Sequence, residues 1–201
     1  MHGGVLEDPI NQSFSGEERN RWYRNRVGGS NENKKRDLVD ESMLSGLDSI
    51  SDGRSFAIAD FNKDGRPDIA LCNANAPLLQ LFQNQIVSDH NFVALRFAGA
   101  ERQGENLERR SSRDGYGAVV NLTLDNGQVI LREFRCGEGF AAQNSDTMLI
   151  GIGEAKTVAE LSVRWPSGHT QTFGPIQHGQ LLKVDENVPS KQSVTTSYTT
   201  R

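Results

Sequence analysis

Apolar and polar residues alternate along much of this chain with a period of two, the spacing of a strand that buries one face. Val93, Leu95 and Phe97 alternate with Ala94 and Arg96, and Val120, Leu122 and Leu124 alternate with Asn121 and Thr123. Leu161, Val163 and Trp165 form a third one-sided stripe, stopped by Pro166-Ser167-Gly168. Asp125-Asn126-Gly127 is a strong hairpin turn, and Val129 to Arg135 is its returning strand. Further strands are predicted near 147–152, 159–165, 170–173 and 180–185. About seven short strands with turn signals at this spacing predict a β-sandwich over residues 88–188.

The first half has a shorter rhythm. A strand is expected at Arg21-Trp22-Tyr23-Arg24-Asn25, a loop at 27–37, and a helical turn from Leu38 to Leu47 that ends at Gly46. Strands follow at about 55–60, 68–72 and 78–83, the last two separated by the turn Asn73-Ala74-Asn75-Ala76-Pro77. Residues 21–87 are thus one region, and the polar stretch from Asn84 to Asn91 marks its junction with the sandwich. Residues 1–20 are polar and irregular, and residues 189–201, rich in Ser, Thr and Lys, are expected to be disordered. The fold class predicted is all-β.

Composition narrows the classes. In a chain of 201 residues with 20 Gly, apolar residues make up only 35%. That share is low for a globular chain and fits exposed loops and tails. A net charge of −4 argues against general nucleic-acid binding, which needs a basic surface. No stretch approaches the roughly 20 apolar residues of a membrane helix. The N-terminus lacks the basic start and apolar core of a signal peptide. Cys72 and Cys136 have no metal-ligand spacing. A bridge between them is open in principle, and two buried free thiols are the expectation.

Candidate chemistry concentrates in Asp60-Phe61-Asn62-Lys63-Asp64-Gly65-Arg66-Pro67-Asp68-Ile69. Oxygen-bearing side chains fall at loop positions 1, 3, 5 and 9, with glycine at 6. Ca²⁺ takes about six to eight oxygen ligands at roughly 2.3–2.6 Å, and alternate residues of a curled loop can aim at one point. Asp60, Asn62, Asp64 and Asp68 are the candidate side-chain ligands. Arg66 would add its backbone carbonyl, Gly65 the turn, and water the rest of the shell. An EF-hand is excluded, because position 12 is Leu71 rather than Glu and both flanks are short apolar strands. The alternative is a polar hairpin, since Asp, Asn and Gly are ordinary turn residues. Against it, two carboxylates about 4 Å apart repel by roughly 4 kcal/mol at an effective dielectric near 20, and the cluster carries three.

These residues resemble a known arrangement. Asp60 to Phe82 is similar to an FG-GAP or VCBS repeat, the blade unit of certain β-propellers, with a calcium loop between its first two strands. Leu81-Phe82-Gln83-Asn84 matches the repeat's usual ending, and Trp22-Tyr23-Arg24-Asn25 looks like the same ending from a partial second blade. The second half resembles the ASPIC/UnbV domain through five stretches: Arg113 to Ala118, Arg132 to Phe140, Gln143-Asn144-Ser145, Ile150 to Gly153, and Trp165 to Gly168. In cartilage acidic protein and related proteins that domain follows FG-GAP repeats. The resemblance implies a calcium-stabilised, extracytoplasmic binding or scaffolding module. A protein partner, or the remaining blades of a longer propeller protein, would then cover the blade. A carbohydrate-recognition or carbohydrate-processing accessory domain is the alternative.

An enzymatic role finds little support. No G-x-S-x-G, Ser/His/Asp order or P-loop occurs, and His2, His90, His169 and His178 are scattered. Asp64 and Asp68 could serve as an acid–base pair, but a calcium-bound carboxylate is a poor proton donor. Arg132, Glu133, Arg135 and Glu138 could line a polar site or simply form a strand's outer face. Trp165 reads as a core anchor, with sugar stacking by it or Trp22 the sharper option. Asn11 and Asn121 stand in glycosylation triplets.

Overall fold

The computed structural model describes residues 13, 16–28, 35–99, 111–190 and 193–198. The expectations for the irregular N-terminus, for most of the 99–115 loop and for His2 and Asn11 lie largely or wholly outside them. Within the described residues the regular secondary structure is nearly all strand, in four open sheets. Its contacts divide into two units, Met1–Phe56 with Ala70–Phe82, and Ala57–Ile69 with Gln83–Arg201. The division runs through a hairpin, so the acidic loop groups with the second unit.

In the first unit β1 (Tyr23–Gly28) and β2 (Lys35–Asp40) form an antiparallel pair, followed by α1 (Ser42–Ser45). β2 replaces a segment expected as loop and helical turn. Its cue was Gly28-Gly29-Ser30-Asn31, a hairpin-turn composition between two short strands. The helix is a single turn that ends at Gly46, in the left-handed region at φ 71°. The Ser42 side chain is buried. It donates to Asp40 Oδ1 at 2.5 Å and accepts the Trp22 N–H at 2.8 Å, which ties β1, β2 and α1 together.

β3 (Gly53–Ala59), β4 (Asp68–Asn73) and β5 (Leu79–Phe82) follow in that spatial order as a three-stranded sheet. These strands fall where the sequence pattern places them. The separate β1–β2 pair contributes no strand to this sheet.

The second unit holds the core. One sheet has the order β11-β10-β7-β8, with β12 also on β10, and the other has the order β14-β13-β6-β9. Their strands are β6 (Asn91–Ala98), β7 (Val119–Leu124), β8 (Val129–Glu133), β9 (Thr147–Gly153), β10 (Thr157–Arg164), β11 (Thr170–Phe173), β12 (Ile176–Gln177), β13 (Gln180–Asp185) and β14 (Thr195–Ser197). Val93, Leu95 and Phe97 of one sheet pack with Val120, Leu122, Leu124, Leu161 and Val163 of the other in a single buried cluster. This sandwich-like packing is what the alternating stripes require. On β10 the register against β7 shifts between Val158 and Glu160. The bulge turns Ala159 and Glu160 outward together and keeps both Val158 and Leu161 inside.

Trp165 is fully buried, and its Nε1–H donates to Gln171 Oε1 at 2.8 Å. It is a core anchor, and its ring presents no surface for a sugar. Gly115 has φ 70°, and a Cβ there would come within 2.9 Å of the Trp165 ring.

Two further expectations are corrected. The segment from Thr195 to Ser197, expected as disordered tail, forms β14 on the edge of β13. Edge pairing needs backbone groups rather than apolar side chains, so a Ser/Thr run can supply it. Cys72 and Cys136 are both free and both exposed, not buried, because Cys72 lies on the outward face of β4 and Cys136 follows the end of β8.

A candidate metal loop and the cleft beside it

β3 and β4 carry the acidic loop at their shared end. Its curl needs two left-handed residues, Lys63 at φ 57° and Gly65 at φ 86°. Gly65 is required for a second reason. A Cβ there would lie 2.0 Å from the ring of Phe92, on β6.

The five predicted site residues share this turn. Asp60 accepts the Asp64 N–H at 3.1 Å on Oδ1 and the Gly65 N–H at 2.7 Å on Oδ2. Asp68 is buried and accepts the Phe61 N–H at 2.9 Å and the Asn84 N–H at 2.7 Å. Asp64 accepts the Arg66 N–H at 2.9 Å and the Asn62 amide at 2.8 Å. The Arg66 guanidinium also forms a salt bridge to Asp64 and donates through Nε to Asn84 O at 3.0 Å. The expected role of Arg66 was its backbone carbonyl; in the structure its backbone N–H and its guanidinium both engage Asp64.

The loop's negative charge is therefore offset partly by N–H groups and partly by one guanidinium. Among the described residues, no three of His, Cys, Asp and Glu gather closely enough to hold a metal ion in this arrangement. The donor set still fits a hard divalent cation. Every side-chain donor is an oxygen, and a carboxylate oxygen that accepts one N–H keeps a second lone pair. The bonds from the Asp64 and Gly65 N–H groups to Asp60 curl the chain back on its first residue.

The loop lies beside a cleft of about 210 Å³ in the second unit. Its polar lining includes Asp60, Glu133, Arg135, Glu138, Asn144 and Tyr198, and its apolar lining includes Ile58, Phe134, Met148 and Leu149. The hairpin is tied to this wall by Ser145 N–H to Ile58 O at 2.9 Å and by Ile58 N–H to Asn144 Oδ1 at 3.0 Å. Arg135 bridges Glu133 at 3.0 Å and Glu138 at 3.2 Å. Hydrogen bonding to Glu133, then the charges of both glutamates, holds the guanidinium firmly protonated. Tyr198, just past β14, meets the Phe92 ring edge-on with centroids 5.6 Å apart. Burial first, then the charge and hydrogen bond of Asp60, pushes its phenol up to about 12.

The cleft joins residues from distant parts of the chain. Glu133, Arg135 and Glu138 were candidates from the sequence, but Tyr198 fell in the expected tail and carried no signal. Arg132 donates to Leu131 O on the strand's outer face. His90, His169 and His178 are exposed, and none lines the cleft. No helix among the described residues is long and apolar enough to cross a membrane.

No curated protein matches the chain. Its first-half resemblance to a propeller repeat rests on the motif alone. The span from just before β7 to beyond β13, residues 108–191, matches the family model described as ASPIC and UnbV.

Proposed function

We propose that this chain is a non-enzymatic binding or scaffolding module, stabilised by calcium and acting outside the cytoplasm or as a subunit of a larger assembly. One observation carries the reading. In the first unit Leu38, Met43, Leu44, Leu78, Leu79 and Leu81 are all exposed, although that unit is small. Single exposed leucines are ordinary, but a concentration on one small unit is the mark of a surface that meets another protein. The propeller resemblance of β3, β4 and β5 suggests the occupant, a protein partner or further blades. The ASPIC/UnbV-like second unit supports the extracytoplasmic setting, where millimolar calcium suits a weak loop of this kind. The ion's role is structural: it cancels the acidic cluster and clamps the hairpin through Asp60, Asn62, Asp64, Asp68 and the carbonyl of Arg66.

The test is a double Leu79→Lys, Leu81→Lys variant, compared with wild type by sedimentation and by binding of a hydrophobic dye. Wild type is expected to bind dye or self-associate, and the variant to lose both with its melting temperature unchanged. A wild type that stays monomeric and dye-free at high concentration would count against an interaction surface there.

Carbohydrate recognition is a second reading, favoured by the cleft's polar residues set beside Phe134, Met148 and Leu149. It is weaker, because neither tryptophan lines that cleft.

A further inference from the structure

We propose that the cleft of the second unit takes a lysine or arginine side chain presented by a protein partner. Its lining is independent of the exposed leucines, which belong to the first unit, and of any bound metal. The gap arises at the open side of the sandwich. β8 and β9 are each the last strand of their sheet and do not pair with one another. Residues at the end of β8, the start of β9 and the end of β3 line a space of about 210 Å³ between them. That is smaller than the roughly 300–1,000 Å³ of sites for drug-sized ligands, and it suits one side chain.

The lining matches a cation carried on an apolar stem. Ile58, Phe134, Met148 and Leu149 give an apolar wall, against which the methylenes of a lysine or arginine can lie while the charged head stays near water. The charged lining is Asp60, Glu133, Glu138 and Arg135, three carboxylates against one guanidinium. Arg135 does not saturate the acids. Its Nε and Nη2 both donate to Glu133 Oε2, at 3.1 and 3.0 Å, and its Nη1 donates to Glu138 Oε1 at 3.2 Å. Glu133 Oε1 and Glu138 Oε2 accept no hydrogen bond among the described residues. Asp60 is already bonded to Asp64, Gly65 and Tyr198, and contributes its charge only. Asp64 and Asp146, whose charges also reach Tyr198, are each paired with an arginine. An anion would be repelled by this surplus of negative charge, and a sugar would find no tryptophan to stack on. The net charge of −4 on the chain also favours the approach of a basic partner.

Nuclear magnetic resonance titration of the whole chain tests this with end-blocked Gly-Lys-Gly, Gly-Arg-Gly and Gly-norleucine-Gly peptides and with methyl glucoside. The lysine and arginine peptides are expected to shift the amides of Thr147, Met148 and Leu149. Norleucine has the stem without the charge and should bind about tenfold more weakly, the worth of a charged hydrogen bond. The double Glu133→Gln, Glu138→Gln variant should weaken the lysine peptide by about the same factor. Arg135→Gln removes the competing guanidinium and should tighten the lysine peptide about two- to fivefold, whereas loss of a residue that only braces the cleft would weaken it. All three side chains are about half exposed, and amide spectra unchanged elsewhere verify that each variant is folded. Equal binding of the norleucine peptide, or tighter binding of methyl glucoside than of the lysine peptide, overturns the cationic occupant. Undiminished binding by the double glutamine variant, or no shift with any of the four compounds at the limit of solubility, overturns the site. None of these results bears on the leucines of the first unit, whose own variant tests them separately.

Discussion

Single residues in this protein are constrained most where two elements meet at van der Waals distance. Gly65 has a positive φ and a ring against the space its Cβ would take. Gly65→Ala should therefore destabilise the second unit by about 1–3 kcal/mol, from strain in the left-handed region plus displacement of Phe92. Phe92→Ala should itself cost stability. The double variant should lose less than the sum of the two, because removing the ring removes half of the conflict. Chemical denaturation of the four proteins gives the coupling, and strict additivity would show that the ring does not press on the turn. Gly65 was legible as a turn glycine from the spacing of the loop. Its collision with Phe92 was not, because the contact joins two stretches that only the folded chain brings together.

At the scale of elements, the strands with a buried face were readable and those without one were not. β6, β7 and β10 carry clean apolar stripes and lie where the period-two pattern puts them. β2 and β14 are short, polar and held by backbone pairing, so alternation had nothing to report. The corner at β2 and α1 shows how such elements are secured. The Ser42 hydroxyl first, then its N–H, with Arg21 adding charge, holds the Asp40 carboxyl below the usual carboxylate value of 3.8. Binding to the charged form means that the corner's stabilisation is present above about pH 4 and is lost as the pH falls through the lowered value. Asp40→Asn should melt below wild type at pH 7, with the gap closing as the pH drops below 3.8. A gap that stays constant down to pH 2 would mean that the charge of Asp40 plays no part.

Across the whole molecule, apolar burial is uneven. Every hydrophobic residue of the buried core cluster lies between Val93 and Val184. The first unit buries mainly polar groups, among them Ser42, Ser51, Asp52, Asn73 and Asn75. Stability should follow that division, because protection from local opening rises with buried apolar contact. Backbone amides of β6, β7 and β10 should exchange with deuterium slowest. Those of β1 and β2 should exchange on the order of a hundredfold faster or more. Equal protection of β1 and β10 would show that the first unit is stabilised by something other than its own packing, such as a bound partner carried through purification.

Pattern alone determined the all-β class, the sandwich stripes with Trp165 among them, the three strands from β3 to β5 and the acidic turn between two of them. These are local properties: a period of two and a run of turn residues depend only on neighbours along the chain. Tertiary structure decided which charges face one another. It anchored the Arg66 guanidinium on the Asn84 carbonyl, brought Tyr198 to Asp60, and set Asp60 and Glu133, Arg135 and Glu138 around one cleft. Each of these meetings joins stretches far apart along the chain, at a distance that sheet order and register set and that no local spacing encodes.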